Sequence, residues 1–476
     1  MKTKPAPRRG ARALIGGWLA AALVCGGCGA RTQLRDNASG DSSNGSSSGG
    51  SGGSGGGGIG APCVLGGVPC AQPPAPSCES TTTLTIYDPV GSCVEGKCVY
   101  AVTSAACPAG CSGGECVTAP SPLLLTVGSQ HTCVTVSSGG IKCWGHNDSG
   151  QLGNDSTKES GVPVGVNGLS SGMLALAASA DTCAVTSGGA LLCWGDNGFG
   201  QLGNGTKQGS LTPAGVSGLS SGVLHVAAGG LHTCAVLSSG AVKCWGDNAT
   251  GDLGDGTTVS SLTPVDVKGL SSGASAVALG FGHTCALTSQ GAVQCWGLNQ
   301  YGELGDGTTS KLPVKVPVDV KGLSSGVVAL VANSLHSCVL TSAGAVQCWG
   351  HNVDGELGDG SFNDSSVPVD VKGLSSGVLA IGAGTGHTCA VTAGGGVKCW
   401  GGNAFGQLGD SSTSKSPIPL DVVGLSSGVV TVALGFDHTC AALATGAVKC
   451  WGGNFYSQLG NGTTTESHVP VDVVGL

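Results

Sequence analysis

One pattern of apolar and polar residues recurs seven times over the last three quarters of the chain. In each copy, short apolar runs such as Val-Ala-Leu-Gly, Cys-Ala-Leu-Thr and Val-Pro-Val-Asp-Val are separated by Gly, Ser, Asn and Asp. Runs of this length between turn residues indicate brief β-strands, and the sequence lacks the long 3.6-residue period of amphipathic helices. The pattern therefore predicts an all-β fold.

Each copy also contains two cysteines with nine residues between them, the second followed by Trp-Gly. The period is 50 to 53 residues, counted between Trp144, Trp194, Trp245, Trp296, Trp349, Trp400 and Trp451. Such a period marks one supersecondary unit that buries its surface against its neighbours. Four short strands per repeat suit a propeller blade, whereas a β-helix coil uses roughly half that length. We predict a seven-bladed β-propeller of four-stranded blades over residues 122–476.

The hairpin between the second and third strands of a repeat determines which residues oppose each other. We label the strands A to D and predict them, in the fourth repeat, at residues 276–280, 283–288, 292–297 and 317–320. Three residues ending in Gly291 join B to C, a hairpin form in which glycine adopts a left-handed conformation. This register places Cys285 opposite Cys295 on one face and Trp296 on the other face.

Directly opposed strand residues are close enough for a disulfide. Each bridge would contribute about 2 to 3 kcal/mol in the chain-entropy model. Seven reduced, buried pairs are the alternative, but 24 cysteines in even groups fit an oxidising compartment. The predicted bridges join Cys133 to Cys143, Cys183 to Cys193, Cys234 to Cys244, Cys285 to Cys295, Cys338 to Cys348, Cys389 to Cys399 and Cys440 to Cys450.

The first 60 residues have the layout of an export signal and a tether. Basic residues precede an apolar stretch at 13–24, too short for a bilayer of about 30 Å, which is typical of a secretory signal peptide at residues 1–28. Its end resembles a bacterial lipobox, and Cys28 fits the acylated position better than Cys25. Residues 29–60, rich in Gly and Ser, predict a disordered tether. We expect an outer-membrane or cell-surface lipoprotein, with plain secretion as the alternative.

Residues 61–118 contain eight cysteines in a unit too small for a large core. Four disulfides are expected, and the sequence leaves their connectivity open. Zinc at pairs such as Cys93 and Cys98 is the alternative, but the segment contains no histidine and export favours disulfides.

The charge of the chain bears on its partners. The formal net charge of −8 becomes −13 once the five basic residues of the leader are removed. An acidic surface without basic clusters repels phosphate backbones, so we expect no nucleic-acid partner.

A histidine lies two residues before the first cysteine in six repeats, and Asp181 takes its place in the second. We interpret it as a hydrogen-bonding residue within its own blade. A ring of metal-binding imidazoles is the alternative, which Asp181 weakens, so no metal or cofactor is predicted. The histidines are His131, His232, His283, His336, His387 and His438.

The string from His387 to Gly409, with Gly-x-Val and Trp-Gly-x-Asn-x-x-Gly-Gln-Leu-Gly, resembles the regulator of chromosome condensation repeat. The resemblance covers about 350 residues in seven copies and implies a seven-bladed propeller. The family includes a nuclear exchange factor for a small GTPase and a secreted bacterial β-lactamase inhibitory protein. We expect a bacterial secreted or lipoprotein member. Guanine nucleotide exchange is disfavoured because of the leader, the acidic surface and the lack of an inserted wedge.

Loops AB and CD lie at one end of a blade, and loops BC and DA lie at the other. The AB and CD loops vary between copies and contain most of the Phe and Tyr residues of the propeller. Aromatic residues on one rim are frequent anchors of protein interfaces. For Phe199, Tyr301 and Phe405 the alternative is packing within the repeat. The predicted partner-binding residues are Phe281, Phe436, Phe455, Tyr456, Tyr301, Phe199 and Phe405.

These observations predict a non-enzymatic, envelope-anchored, monomeric propeller that binds another protein as a scaffold or inhibitor. A carbohydrate-binding surface lectin is the main alternative, and a purely structural spacer is a further one. An enzyme is not supported because the sequence shows no nucleophile with a base and no paired carboxylates at a plausible site. Membrane contact is expected only through the lipid at Cys28.

Overall fold

The computed structural model describes residues 123–476 and seven short strands that precede them. The two parts belong to separate units. The predicted leader, Cys28 and the Gly/Ser tether lie outside the described residues. Among the described residues, no helix is long and apolar enough to cross a membrane.

The first unit consists of one three-stranded antiparallel sheet and two short hairpins. Its backbone places Cys93 opposite Cys98 and Cys111 opposite Cys116. The predicted disulfides of residues 61–118 involve side chains outside what the structure describes. The strands are β1 Ser77–Ser80, β2 Thr83–Tyr87, β3 Ser92–Val94, β4 Lys97–Val99, β5 Val102–Ala106, β6 Cys111–Ser112 and β7 Glu115–Cys116.

The second unit is the predicted ring of seven four-stranded antiparallel sheets, each formed by four consecutive strands A to D. Blade 1 contains β8 Leu125–Val127, β9 His131–Thr135, β10 Ile141–Gly145 and β11 Ser160–Gly165. Blade 2 contains β12 Met173–Ala178, β13 Asp181–Thr186, β14 Leu191–Gly195 and β15 Ser210–Gly215. Blade 3 contains β16 Val223–Ala228, β17 His232–Leu237, β18 Val242–Gly246 and β19 Ser261–Asp266.

The remaining blades follow the same order. Blade 4 contains β20 Ala274–Leu279, β21 His283–Thr288, β22 Val293–Asn299 and β23 Ser310–Asp319. Blade 5 contains β24 Val327–Asn333, β25 His336–Thr341, β26 Val346–Gly350 and β27 Ser365–Asp370. Blade 6 contains β28 Val378–Ala383, β29 His387–Thr392, β30 Val397–Gly401 and β31 Ser416–Asp421. Blade 7 contains β32 Val429–Leu434, β33 His438–Leu443, β34 Val448–Gly452 and β35 Ser467–Asp472.

Strand D of blade 4 is longer than the sequence predicted. It begins at Ser310 instead of residue 317, because β22 continues to Asn299 and this residue pairs with Ser310. The register between the two strands shifts twice before this pair. Strand B of this blade has the predicted bounds.

The hairpin register between strands B and C is confirmed. Cys285 pairs with Cys295 and Thr284 pairs with Trp296. Gly291 has a φ of 78° and closes the three-residue turn. The same register recurs in every blade of the ring. All seven predicted disulfides are present, with Cα atoms 4.0 to 4.1 Å apart.

The core of the ring lies between blades. The disulfide face of one blade packs against the tryptophan face of the next, as Cys234 and Cys244 of blade 3 do with Trp296 of blade 4. All seven tryptophans of the ring are fully buried. Alternation along each strand places disulfide and tryptophan on opposite faces, so each blade offers one face to each neighbour.

Each CD loop reaches across to the following blade. The carbonyl oxygen of Gln151 in blade 1 accepts a hydrogen bond of 3.0 Å from Trp194 Nε1 in blade 2. Asn147 holds the loop, since its Oδ1 accepts from the Leu152 amide and its Nδ2 donates to the Ser156 carbonyl. Equivalent tryptophan bonds of 2.7 to 3.0 Å occur at all seven junctions.

The same contact closes the ring. Trp144 of blade 1 donates to the Gln458 carbonyl of blade 7 over 3.0 Å, although more than 300 residues separate them. Strand β8 pairs with β9, and β35 pairs with β34. The first and last strands therefore belong to different blades, and loop and side-chain contacts close the ring without a shared sheet.

The recurrent histidines bond between blades, and our expectation of bonds within each blade was wrong. His283 Nε2 lies 2.9 Å from Ser337 Oγ in the next blade, and all six histidines make such a contact, at 2.8 to 3.1 Å. The reason is strand alternation, because histidine shares the disulfide face while the residue after it lies on the tryptophan face. Asp181 makes no corresponding bond to Thr233, whose hydroxyl donates to the Gln201 carbonyl.

Candidate partner-binding site

The AB and CD loops leave the ring at the same end, and we call this end the AB/CD face. It contains the seven predicted partner-binding aromatic residues and an eighth, Phe362, that the sequence reasoning missed. Phe362 lies in the CD loop of blade 5 and is 47% exposed. Every Phe and Tyr of the ring is therefore in these loops. Four of the seven predicted residues are 36 to 56% exposed, namely Phe199, Phe281, Tyr301 and Phe455, and the other three are half-buried.

Several of these rings pack across a junction between blades. Tyr456 of blade 7 stands edge-on to His146 of blade 1 with ring centroids 4.5 Å apart, and Tyr301 makes the same contact with His351 at 4.8 Å. The ring centroids of Phe405 and Phe455 are 5.5 Å apart. Such edge-on contacts are favourable and still leave Tyr301 and Phe455 partly exposed.

A pocket of about 300 Å³ opens on this face between the loops of blades 5, 6 and 7. It brings together Phe405 and Phe436, which are 31 residues apart in sequence. Gly402 lines the pocket at the position that His146 and His351 occupy in blades 1 and 5. The absence of a side chain at Gly402 leaves space where those blades have an imidazole ring.

The pocket contains polar groups without full hydrogen bonding. The carboxylate of Asp437 is 4% exposed, and its Oδ1 accepts one hydrogen bond of 3.2 Å from Gln458 Nε2. Thr385 Oγ1 is buried without a partner. At the rim, Lys415 donates to the Val353 carbonyl and forms a 3.2 Å ion pair with Asp354.

The AB/CD face is strongly acidic. The ring has 22 Asp and Glu residues and 12 lysines, and its AB and CD loops contain 16 of the acidic residues but only three of the lysines. The lysines of the ring instead concentrate on the strands and the DA loops, where three of them pair with strand D aspartates. The charge of the ring is thus unevenly distributed between its two ends.

Three consecutive CD loops have a buried carboxyl group where other repeats have Gln. Burial raises the pKa of Asp252 to about 8, and burial also raises the pKa of Glu303. Glu303 Oε1 has no hydrogen-bond partner, because Leu298 stands where His351 faces Glu356. The hydrogen bond that His351 donates to Glu356 raises the pKa of His351. The Gln-to-acid change was visible in the sequence and was overlooked.

One group on this face has metal-ligating atoms close together. Atoms of His146, Asp148 and Glu159 lie within 4.8 Å of one another. His146 is already engaged, with Gln151 Nε2 at 2.8 Å from its Nδ1 and the ring of Tyr456 against it. Both acidic side chains are exposed, as surface carboxylates commonly are without an ion.

Comparison with known proteins places this architecture in a family. Residues 175–476 match the RCC1-like domain, and residues 125–151 match the regulator of chromosome condensation (RCC1) repeat. The chain belongs to the RCC1-like domain family. This confirms the family resemblance and the seven-bladed ring that the repeat predicted.

The curated relatives match this chain over part of their own length. Human probable E3 ubiquitin-protein ligase HERC4 is 38% identical over 202 residues, which are 42% of this chain and 19% of that protein. The ultraviolet-B receptor UVR8 of Arabidopsis thaliana is 32% identical over 248 residues, 51% of this chain and 56% of that protein. The chain thus spans less than two thirds of these relatives.

Solved structures share the fold. Yeast RCC1 (Prp20), in a complex with Kap60, superimposes with a TM-score of 0.62 at 22% identity, covering 74% of this chain and 86% of that one. Human WBSCR16 gives a TM-score of 0.61 at 21% identity, covering 70% and 93%. At this identity the likeness concerns the fold alone.

Proposed function

We propose that the ring is a non-enzymatic protein-binding module and that its AB/CD face holds the partner. The observation that carries the proposal is the placement of all eight Phe and Tyr residues of the ring in the loops of one face. Rigid, partly exposed aromatic side chains are typical anchors of protein interfaces. The fold neighbours include yeast Prp20p, whose structure was described with its binding to Gsp1p and histones.

The cellular setting is part of the same proposal. Seven disulfides within the blades require an oxidising compartment, which supports an exported chain. We propose that lipid on Cys28 anchors it to an outer membrane or cell surface. Cys28→Ser should move the protein from the membrane fraction to the soluble fraction. Unchanged fractionation of this variant would remove the anchor from the proposal.

The binding face is tested by capture of a partner on the immobilised full-length protein. Phe281→Ala combined with Phe436→Ala should abolish capture of any saturable partner from envelope and secreted extracts. The matched control is Leu312→Ala, an apolar side chain on strand D that is 77% exposed and lies outside both loops. Intact disulfides, verified by mass, would show that both variants are folded.

Two outcomes would count against this function. Capture that survives the double substitution would exclude the AB/CD face, and the absence of any saturable partner would favour a structural spacer. Binding on a glycan array, lost in the same double variant, would favour the lectin alternative, since aromatic and carboxylate groups also suit sugars. Stimulated guanine nucleotide release from a small GTPase would favour exchange, which we consider the least supported function.

A further inference from the structure

We propose that the pocket between blades 5, 6 and 7 binds a cationic side chain, Lys or Arg, presented by the partner. This inference deepens the proposed function and rests on it for the identity of the partner as a protein. The pocket is lined by Phe405, Phe436, Asp437, Gln407, Thr385 and Gly402. Its recognition chemistry can be tested separately with small peptides.

Gly402 lines the pocket at a position where two other blades have a histidine. In blades 1 and 5 the residue after Trp-Gly is histidine, and its imidazole Nδ1 lies 2.8 to 3.0 Å from the side chain of the Gln or Glu five residues later. In blade 6 this residue is Gly402, and Gln407 Nε2 makes no hydrogen bond within the described residues. A free amide donor is therefore available in the pocket, beside a residue that has no side chain.

The carboxylate of Asp437 lacks a close cationic partner. Its Oδ1 accepts from the neutral Gln458 amide, and the nearest imidazole nitrogen, His438 Nδ1, lies 3.8 Å away, beyond hydrogen-bond distance. Its Oδ2 accepts no hydrogen bond within the described residues. A carboxylate that is 4% exposed is normally paired, because burying an unpaired charge is costly. An incoming guanidinium or ammonium group would complete this pairing.

The rest of the pocket suits the same ligand. The aromatic rings of Phe405 and Phe436 can contact the methylene chain of Lys or Arg or attract its charge through their faces. Thr385 Oγ1 is a buried, unpartnered acceptor. The lysine at the rim, Lys415, is paired with Asp354 and lies 4.9 Å from the centroid of Phe362, so its ammonium group already has partners.

The charge of the whole face favours the same sign of ligand. Sixteen acidic residues against three lysines in the AB and CD loops attract a basic segment. Burial raises the pKa of Asp252 to about 8 and also raises the pKa of Glu303, but leaving both residues out of the count still gives a large excess of negative charge. Electrostatic attraction of this kind accelerates association and weakens with added salt.

The test uses three peptides and the full-length protein. Acetyl-Gly-Arg-Gly-amide and acetyl-Gly-Lys-Gly-amide are titrated by NMR, together with the citrulline analogue, which has nearly the shape of the arginine peptide but no charge. We expect the charged peptides to bind with affinity about tenfold above that of the citrulline peptide, because charge-assisted hydrogen bonds are the stronger ones. Equal affinity for arginine and citrulline would overturn the inference.

Two substitutions locate the binding. Asp437→Asn removes the charge and should reduce the arginine affinity about tenfold. Gly402→His fills the pocket with the residue that blades 1 and 5 already accommodate, and should abolish binding even if Asp437→Asn does not fold. The control is Asp148→Asn, which removes an exposed charge from the same face in blade 1. Arginine binding that survives both pocket variants, or that Asp148→Asn reduces equally, would contradict the proposal.

The inference and the proposed function can fail separately. If the peptides do not bind but Phe281→Ala still weakens capture of a partner, the face binds protein without a cation pocket. If the arginine peptide binds through Asp437 but no partner is captured, the pocket stands and the proposed protein-binding function does not.

Discussion

Five of the six recurrent histidines have pKa values that keep them neutral inside the ring. Burial lowers the pKa of His131, His232, His283 and His387 to about 3. Burial likewise lowers the pKa of His336 to about 4. Each imidazole bonds the hydroxyl of the next blade, and protonation at these sites would place an unsolvated charge between two packed sheets.

Acid should therefore destabilise the ring. The unfolded chain binds protons at the ordinary histidine pKa of 6.5, whereas the folded chain does so near 3, so stability falls as the pH drops below about 6.5. Each such histidine contributes at most about 1.4 kcal/mol per pH unit in that window. Urea midpoints measured between pH 7 and pH 4 should decline steeply. A flat profile over this range would show that the histidines are solvated.

The buried carboxyl of Asp252 should have the opposite dependence. Its pKa rises from 3.8 to about 8, so its contribution is complete below pH 3.8 and is lost as the pH rises towards 8. Asp252→Asn keeps the acceptor for the Thr250 hydroxyl and removes the titration. Relative to the parent protein, this variant should gain stability between pH 5 and pH 8. Asp266→Asn, at an exposed ion pair, is the control, and an equal gain there would refute the assignment.

At the scale of elements, each CD loop contacts the next blade through a glycine. A residue with a Cβ atom would clash with the tryptophan of that blade. Gly254 has a φ of 65°, and a Cβ atom there would lie 2.7 Å from Trp296 Nε1. Gly269 also has a positive φ, 81°, but a Cβ atom there would meet nothing within 4 Å. Alanine substitutions at the two glycines therefore distinguish the free-energy cost of a left-handed backbone from the cost of a steric clash.

Both alanine substitutions should destabilise the ring, to different extents. Gly269→Ala should cost about 1 to 2 kcal/mol from the left-handed conformation alone. Gly254→Ala should cost at least about 2 kcal/mol more, because the tryptophan must shift in a close-packed layer. Thermal or urea unfolding of the two variants measures the difference. Equal losses would mean that the loop moves away from Trp296 without strain.

The B–C hairpin was predictable in full, whereas strand D was not. The three-residue turn ending in glycine sets the pairing of Cys285 with Cys295, and a local rule therefore determines the disulfide and the face of Trp296. Strand D begins at Ser310 because of pairing with an extended β22, and no turn signal in the sequence marks this start.

At the scale of the whole molecule, the ring has one junction without covalent continuity, between blades 7 and 1. Thr132 Oγ1 contacts His438 Nε2 at 3.1 Å and donates to the Gln458 carbonyl there. Thr388 makes the same two contacts between blades 5 and 6, at 3.0 and 2.9 Å. The chain connects blades 5 and 6 directly, while blades 7 and 1 depend on non-covalent contacts alone.

Opening should therefore begin at the junction of blades 7 and 1. Thr132→Val should increase hydrogen exchange of β8 and β32 more than Thr388→Val increases exchange of β24 and β28, because only the first junction lacks a connecting chain. Hydrogen exchange followed by mass spectrometry makes this comparison. If the loss of protection at β8 and β32 is equal to or smaller than the loss at β24 and β28, the junction of blades 7 and 1 is as stable as a junction with a connecting chain.

Features that depend on neighbouring residues along the chain could be predicted before any coordinates were known. These are the seven-fold period, the hairpin register, the disulfides, the opposite placement of cysteine and tryptophan, and the gathering of aromatic residues in the AB and CD loops. Turn geometry and the two-residue alternation of a strand act over a few residues, so they can be read without coordinates.

The relations between blades required the three-dimensional structure. It showed that each histidine bonds the next blade, that the terminal strands do not share a sheet, and that Gly402 and Asp437 line one pocket. It also showed that Asp252 and Glu303 are buried where other repeats have glutamine. These contacts join residues about 30 to more than 300 positions apart, and their distances follow from how the blades pack, which no local rule contains.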